Sequence, residues 1–132
     1  MKDSNLREKL NEVKKLYHEG QVDTALEKVY SISWDYRRNE VIRDKRYQFF
    51  EFITLVLNTV PTGKARTHAL NSVMSFAIES DNSTRLCSAE LKLISTLMNL
   101  LKTTKGDDQL QVSKCLGNIG IIRFKIYKLF YK

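Results

Sequence analysis

The chain has 132 residues, 42% of them hydrophobic, with only 5 Gly and 1 Pro. That is the length of one domain, 1–132, with a core to bury, and it excludes a linker, a low-complexity protein or a turn-rich sandwich. Its 22 Lys and Arg outnumber 15 Asp and Glu, giving a net charge of +7, which favours an acidic protein, a nucleic acid or an anionic surface as partner.

Residues 4–19 read as a first helix, with Ser4 as its cap and Leu6, Leu10, Val13 and Leu16 or Tyr17 at helical spacing. Gly20 supplies the stop. A second helix starts near Val22–Asp23 and buries Ala25, Leu26, Val29, Ile32 and Ser33. The charged segment 34–47 follows, with five basic residues and three acids around Trp34, Tyr36 and Tyr47.

Residues 46–60 are the densest apolar run, with Glu51 its one charge after Arg46; a helix apolar nearly all round is a buried spine. If that helix extends back through the charged segment, Arg38 and Lys45 share a line with Phe49 and Val56. The other reading is a break near Asn39, with Glu40 and Asp44 pairing locally to Arg43 and Arg46.

Pro61-Thr62-Gly63 ends the spine, and a fourth helix runs through Ala65, Ala69, Leu70, Val73, Met74 and Ala77. The polar run 79–84 precedes a fifth helix over 84–103, capped by Ser83 or Thr84. After the loop 103–106, Asp107 or Asp108 caps a sixth helix through Leu110, Val112, Cys115, Leu116, Ile119, Ile122, Ile126, Leu129 and Phe130. Gly117 and Gly120 each cost that helix about 1 kcal/mol, so they mark a close helix approach or a break. The alternation I-I-R-F-K-I-Y at 121–127 also permits a strand; helix is preferred.

The segment 16–32, L-Y-H-E-G-Q-V-D-T-A-L-E-K-V-Y-S-I, resembles the turn and second helix of a tetratricopeptide repeat through Tyr17, Gly20, Val22, Ala25, Leu26 and Ile32. It departs from that family where Lys9, Glu12 and Val13 occupy the first-helix Trp and Leu-Gly positions, and no Pro closes the unit. Over 46–120 a second periodicity of about 42 residues pairs Thr54-Leu55 with Thr96-Leu97, and Leu70, Val73, Met74 and Ala77 with Val112, Cys115, Leu116 and Ile119. That spacing resembles HEAT and armadillo units. Both resemblances imply an all-α fold of about six helices in three antiparallel hairpins: 1 with 2, 3 with 4, 5 with 6. The hairpins form either a short α-solenoid or a compact helical bundle.

Catalysis finds no support. His18 and His68 have no second His or Cys at metal-ligand spacing. Cys87 and Cys115 form no CxxC and lack the signature of an activated thiolate. No Walker loop, dinucleotide fingerprint or GxSxG occurs, and the GxxG at Gly117–Gly120 is apolar and helical rather than the basic loop of a KH domain. No enzyme activity, cofactor or metal is therefore expected. The start M-K-D-S-N-L-R-E-K-L has no apolar signal core, and no apolar run approaches the roughly 18 residues of a membrane span. With two cysteines far apart, this points to an intracellular protein, cytoplasmic or nuclear, in a reducing compartment.

The tail is the other charged feature: residues 109–132 hold five basic residues and no acid. On a helical wheel Lys125, Lys128 and Lys132 form a narrow stripe beside a wide apolar arc. No polar helix caps this end, so self-association or a partner is expected there. The first expectation is a non-enzymatic interaction module or adaptor that binds a protein through a basic-aromatic surface: Trp34, Tyr36, Arg38, Lys45, Phe124, Tyr127 and Tyr131. The second is a nucleic-acid-binding regulator using Arg37, Arg38, Arg43, Arg46, Lys125, Lys128 and Lys132.

Overall fold

The computed structural model describes residues 2–59 and 63–130, with side chains over 5–59 and 63–119. The described residues form seven α-helices and one 3-10 turn: α1 Lys2–His18, α2 Val22–Asp35, the turn Glu40–Arg43, α3 Phe49–Thr59, α4 Lys64–Phe76, α5 Ser80–Leu86, α6 Leu93–Thr103 and α7 Gly106–Phe130. The all-α fold and its three hairpins stand. They are α1 with α2, α3 with α4, and α6 with α7.

The first hairpin follows from local chemistry. Leu6, Leu10 and Val13 place one buried stripe on α1. Gly20 closes the helix at φ +86, where its N–H donates to Tyr17 O at 3.1 Å and that of Gln21 to Leu16 O at 2.9 Å. These two bonds are a Schellman motif, and the left-handed φ is what Gly adopts without a Cβ clash. Ser4 falls inside α1 rather than capping it.

The hairpins stack in register. Helices α2, α4 and α7 begin at Val22, Lys64 and Gly106, and three bonds join residues 42 apart. Ala65 N–H donates to Asp23 Oδ1 at 3.1 Å, Ser75 Oγ to Ser33 O at 3.1 Å, and Arg66 to Asp108 at 2.9 Å. Bonds at both ends of the α2–α4 pair require parallel helices. The period read from 46–120 therefore extends back to α2, and three hairpins form two layers: α2–α4–α7, and α1 and α6 on either side of α3. Phe49, Phe50 and Phe76 meet in the centre at ring-centroid distances of 5.4 to 6.4 Å.

Two expected helices are shorter than their patterns. The spine starts at Phe49, not 46, and residues 36–48 form turns. Asn39 Oδ1 accepts from Val41 N–H at 3.0 Å and opens the 3-10 turn; Gln48 then takes φ +50. The continuous line from Arg38 and Lys45 to Phe49 and Val56 is thus broken. Arg37, Arg38, Arg43, Lys45 and Arg46 belong to the connection before α3, not to the helix itself.

The expected helix over 84–103 is two helices, α5 and α6, which raises the count from six to seven. Ser83 and Thr84 lie inside α5, where Ser83 Oγ donates to Ala77 O at 2.6 Å. Asn82, fully buried, donates to Arg37 O at 2.6 Å and Phe76 O at 3.1 Å. The short helix α5 thus supplies side-chain donors to Arg37 O and Ala77 O, and a second donor to Phe76 O, which also accepts from Glu79 N–H at 3.2 Å. Lys92, at φ +62, marks the break before α6.

Helix α7 is unbroken through 121–127, so no strand forms there, and Gly117 faces open space instead of a neighbouring helix. Asp107 and Asp108 sit in its first turn. Pro61 and Thr62 lie outside the described residues; Gly63 beside them takes φ +103. No described helix is long and apolar enough to cross a membrane.

Candidate interaction surface

Trp34 is 54% exposed near the end of α2, an unusual position for so large an apolar ring. Helical geometry puts Tyr30 one turn before it, and the two rings meet edge-on at 6.3 Å. On its other side, the Arg37 guanidinium lies 5.3 Å from the Trp34 ring centroid, within cation–π range. Register with α4 adds His68, whose ring lies 6.2 Å from Tyr30. Four side chains therefore make one row: His68, Tyr30, Trp34 and Arg37. At its two ends His68 Nδ1 and Arg37 Nη1 are buried with no hydrogen-bond partner among the described residues.

Around the corner from the row, Lys9, Asp35, Tyr36, Arg38 and Asn39 line a shallow depression. Tyr36 is half-buried against the core, and its N–H closes α2 on Ile32 O at 2.8 Å. Arg38 projects into solvent, 3.8 Å from Glu79.

The remaining basic residues of the connection are each met by an acid. Arg43 donates to Asn82 Oδ1 at 3.1 Å and to Asp81 at 3.5 Å. Lys45 pairs with Glu90 at 2.8 Å, and Arg46 holds Asp44 through two nitrogens at 2.7 and 3.1 Å. The Arg46 hydrogen bonds push the Asp44 carboxyl below the usual carboxylate range, and the Lys45 hydrogen bond does the same to Glu90. A phosphate backbone would have to displace these carboxylates to reach the cations.

Phe124, Lys125, Tyr127 and Lys128 lie on the last turns of α7, and their side chains are outside the described residues, as are Tyr131 and Lys132 altogether. The expected tail surface and self-association through it therefore have no described contacts. Sequence reasoning singled out Trp34, Tyr36 and Arg37 but passed over Tyr30 and weighed His68 only as a metal ligand. Tyr30 was in view four residues before Trp34; His68 follows Leu26 by the repeat period of 42, which brings it beside α2.

Among the described residues no three His, Cys, Asp or Glu side chains converge to hold a metal. Cys115 is buried, and that burial pushes its thiol up to about 12, which keeps it protonated. No protein-family model, curated protein or solved structure matches the chain.

Proposed function

We propose that this chain is a non-enzymatic interaction module, a helical-hairpin adaptor that docks a protein partner at the end of α2. Trp34 is the anchor, Tyr30 and Arg37 hold its ring, and Tyr36 and Arg38 supply the polar margin. The carrying observation is Trp34 itself: exposed, yet fixed between a ring and a guanidinium. Interface hot spots are enriched in Trp, Tyr and Arg, and a pre-ordered anchor loses little entropy on binding. The buried Cys115 thiol suits a reducing intracellular compartment.

The carboxylates paired to Arg38, Arg43, Lys45 and Arg46 favour a protein over a nucleic acid, because the connection's charge is largely neutralised. The test is a photo-reactive amino acid placed at position 34 in the full chain. Cross-linking to one protein, lost when Arg38 and Lys45 are reversed to Glu, is the expected result. Cross-linking to nucleic acid instead, with affinity falling by orders of magnitude between about 50 and 200 mM salt, assigns the surface to phosphate contacts.

A further inference from the structure

Away from Trp34, in the layer of α1, α3 and α6, a groove runs between α3 and α6. Asn58, Lys92, Ser95, Met98, Asn99 and Lys102 line it. Its floor is the bond from Asn58 Nδ2 to Thr96 Oγ1 at 3.0 Å. Met98 is 44% exposed on α6, and Leu55, one turn before Asn58 on α3, is 49% exposed. All other apolar residues of α3 are buried, so these two stand out of the core into solvent.

Among the residues that line the groove the charge has one sign. Helix α6 contains no acid, and Glu51, the single acid of α3, is tied to Arg85. Neither Lys92 nor Lys102 meets a carboxylate among the described residues. They contrast with Arg38, Arg43, Lys45 and Arg46, all of which do. The N-terminus of α6 adds to the same field: no side chain caps it and its first turn holds no acid. Lys92 stands at that end in the left-handed region, where Gly or Asn fits more readily.

We propose that the α3–α6 groove docks an acidic amphipathic helix of a protein partner. Lys92 with the α6 N-terminus takes one carboxylate and Lys102 takes a second, about 15 Å further along the helix axis. Apolar side chains between those carboxylates rest on Met98 and Leu55, the helix-in-groove mode of recognition. A nucleic acid fits less well. A duplex presents a charge about every 1.7 Å, far denser than two lysines separated by an apolar centre.

The test uses a fluorescein-labelled Ala/Gln-based helical peptide. It carries two Glu about ten residues apart, with Leu on the same face between them, and has a counterpart with Lys for Glu. The full chain is expected to bind the Glu peptide and not the Lys peptide. Lys102→Glu and Met98→Asp each weaken binding about tenfold or more, whereas Trp34→Ala leaves it unchanged. Lys92→Gly, which suits the left-handed backbone, weakens binding while far-UV circular dichroism and the urea midpoint show an intact fold. The proposal is overturned by failure of the wild-type chain to bind the Glu peptide, by equal binding of both peptides, or by unchanged affinity in the folded groove variants. A single-stranded oligonucleotide that binds more tightly than the peptide and loses affinity in those same variants also overturns it, by assigning the groove to nucleic acid.

Discussion

Arg66 and Lys45 each meet a carboxylate just over forty residues further along the chain, yet they do different work. In the α2–α4–α7 stack, Arg66 has a side chain only 6% exposed and meets Asp108 exactly one repeat on. In the connection between α2 and α3, Lys45 and its partner Glu90 are both 63% exposed. The stack uses charge to hold register, because a buried guanidinium must be paired. The connection keeps its charges in water, where a pair is worth little to stability. The difference separates a pair that holds the register of the fold from one that does not.

The largest blow to the stack is Phe76→Ala. Phe76 is fully buried and its ring touches Phe49 and Phe50, so urea unfolding is expected to lose about 3–5 kcal/mol. Next comes Asp108→Ala. It strips Arg66 of a charge-assisted hydrogen bond, and the expected loss is about 1–3 kcal/mol, limited by the solvent around the half-exposed Asp108. Gly117→Ala should move the other way, adding about 1 kcal/mol, because Gly117 lies inside α7 with open space where a Cβ would point.

At the connection, Arg38→Glu with Lys45→Glu is expected to leave the urea midpoint in place and abolish partner capture. A large stability loss there would erase the contrast with the stack. Asp44 and Glu90 have depressed carboxyls, so the ionised, paired form outlasts that of ordinary Asp and Glu as the pH falls and is lost only below the ordinary carboxylate range. NMR titration of those two side chains, with midpoints below ordinary Asp and Glu, checks it.

The stack was legible because its signal is apolar spacing. Leu70 with Val112 and Val73 with Cys115 already gave the period of 42, and α1, α2 and α4 followed from stripes that the fold buries. The connection was less legible for a physical reason. Val41 and Ile42 are buried there outside α-helices, as Leu91 is between α5 and α6, so this apolar content carries no helical period. The turns depend on side chains whose roles appear only after folding: Asn39 bonds locally, but Asn82 reaches Arg37 O 45 residues away. At the candidate surface, Trp34 was conspicuous as the lone tryptophan. Tyr30 and His68 were not, because their proximity exists only through the register of α2 with α4. Lys92 and Lys102 looked like any other lysines until the fold placed both along one groove beside Asn58.

That lone tryptophan also provides the most direct measurement. The intrinsic fluorescence of the chain reports Trp34 and no other residue of its type. Free protein is expected to show the red-shifted emission of a hydrated indole, readily quenched by iodide. Titration with the partner captured at position 34 should shift the emission to the blue and protect it from iodide, saturating at one partner per chain. Saturable binding with emission and quenching unchanged would contradict the account, because the partner would then dock elsewhere and leave the aromatic row in water.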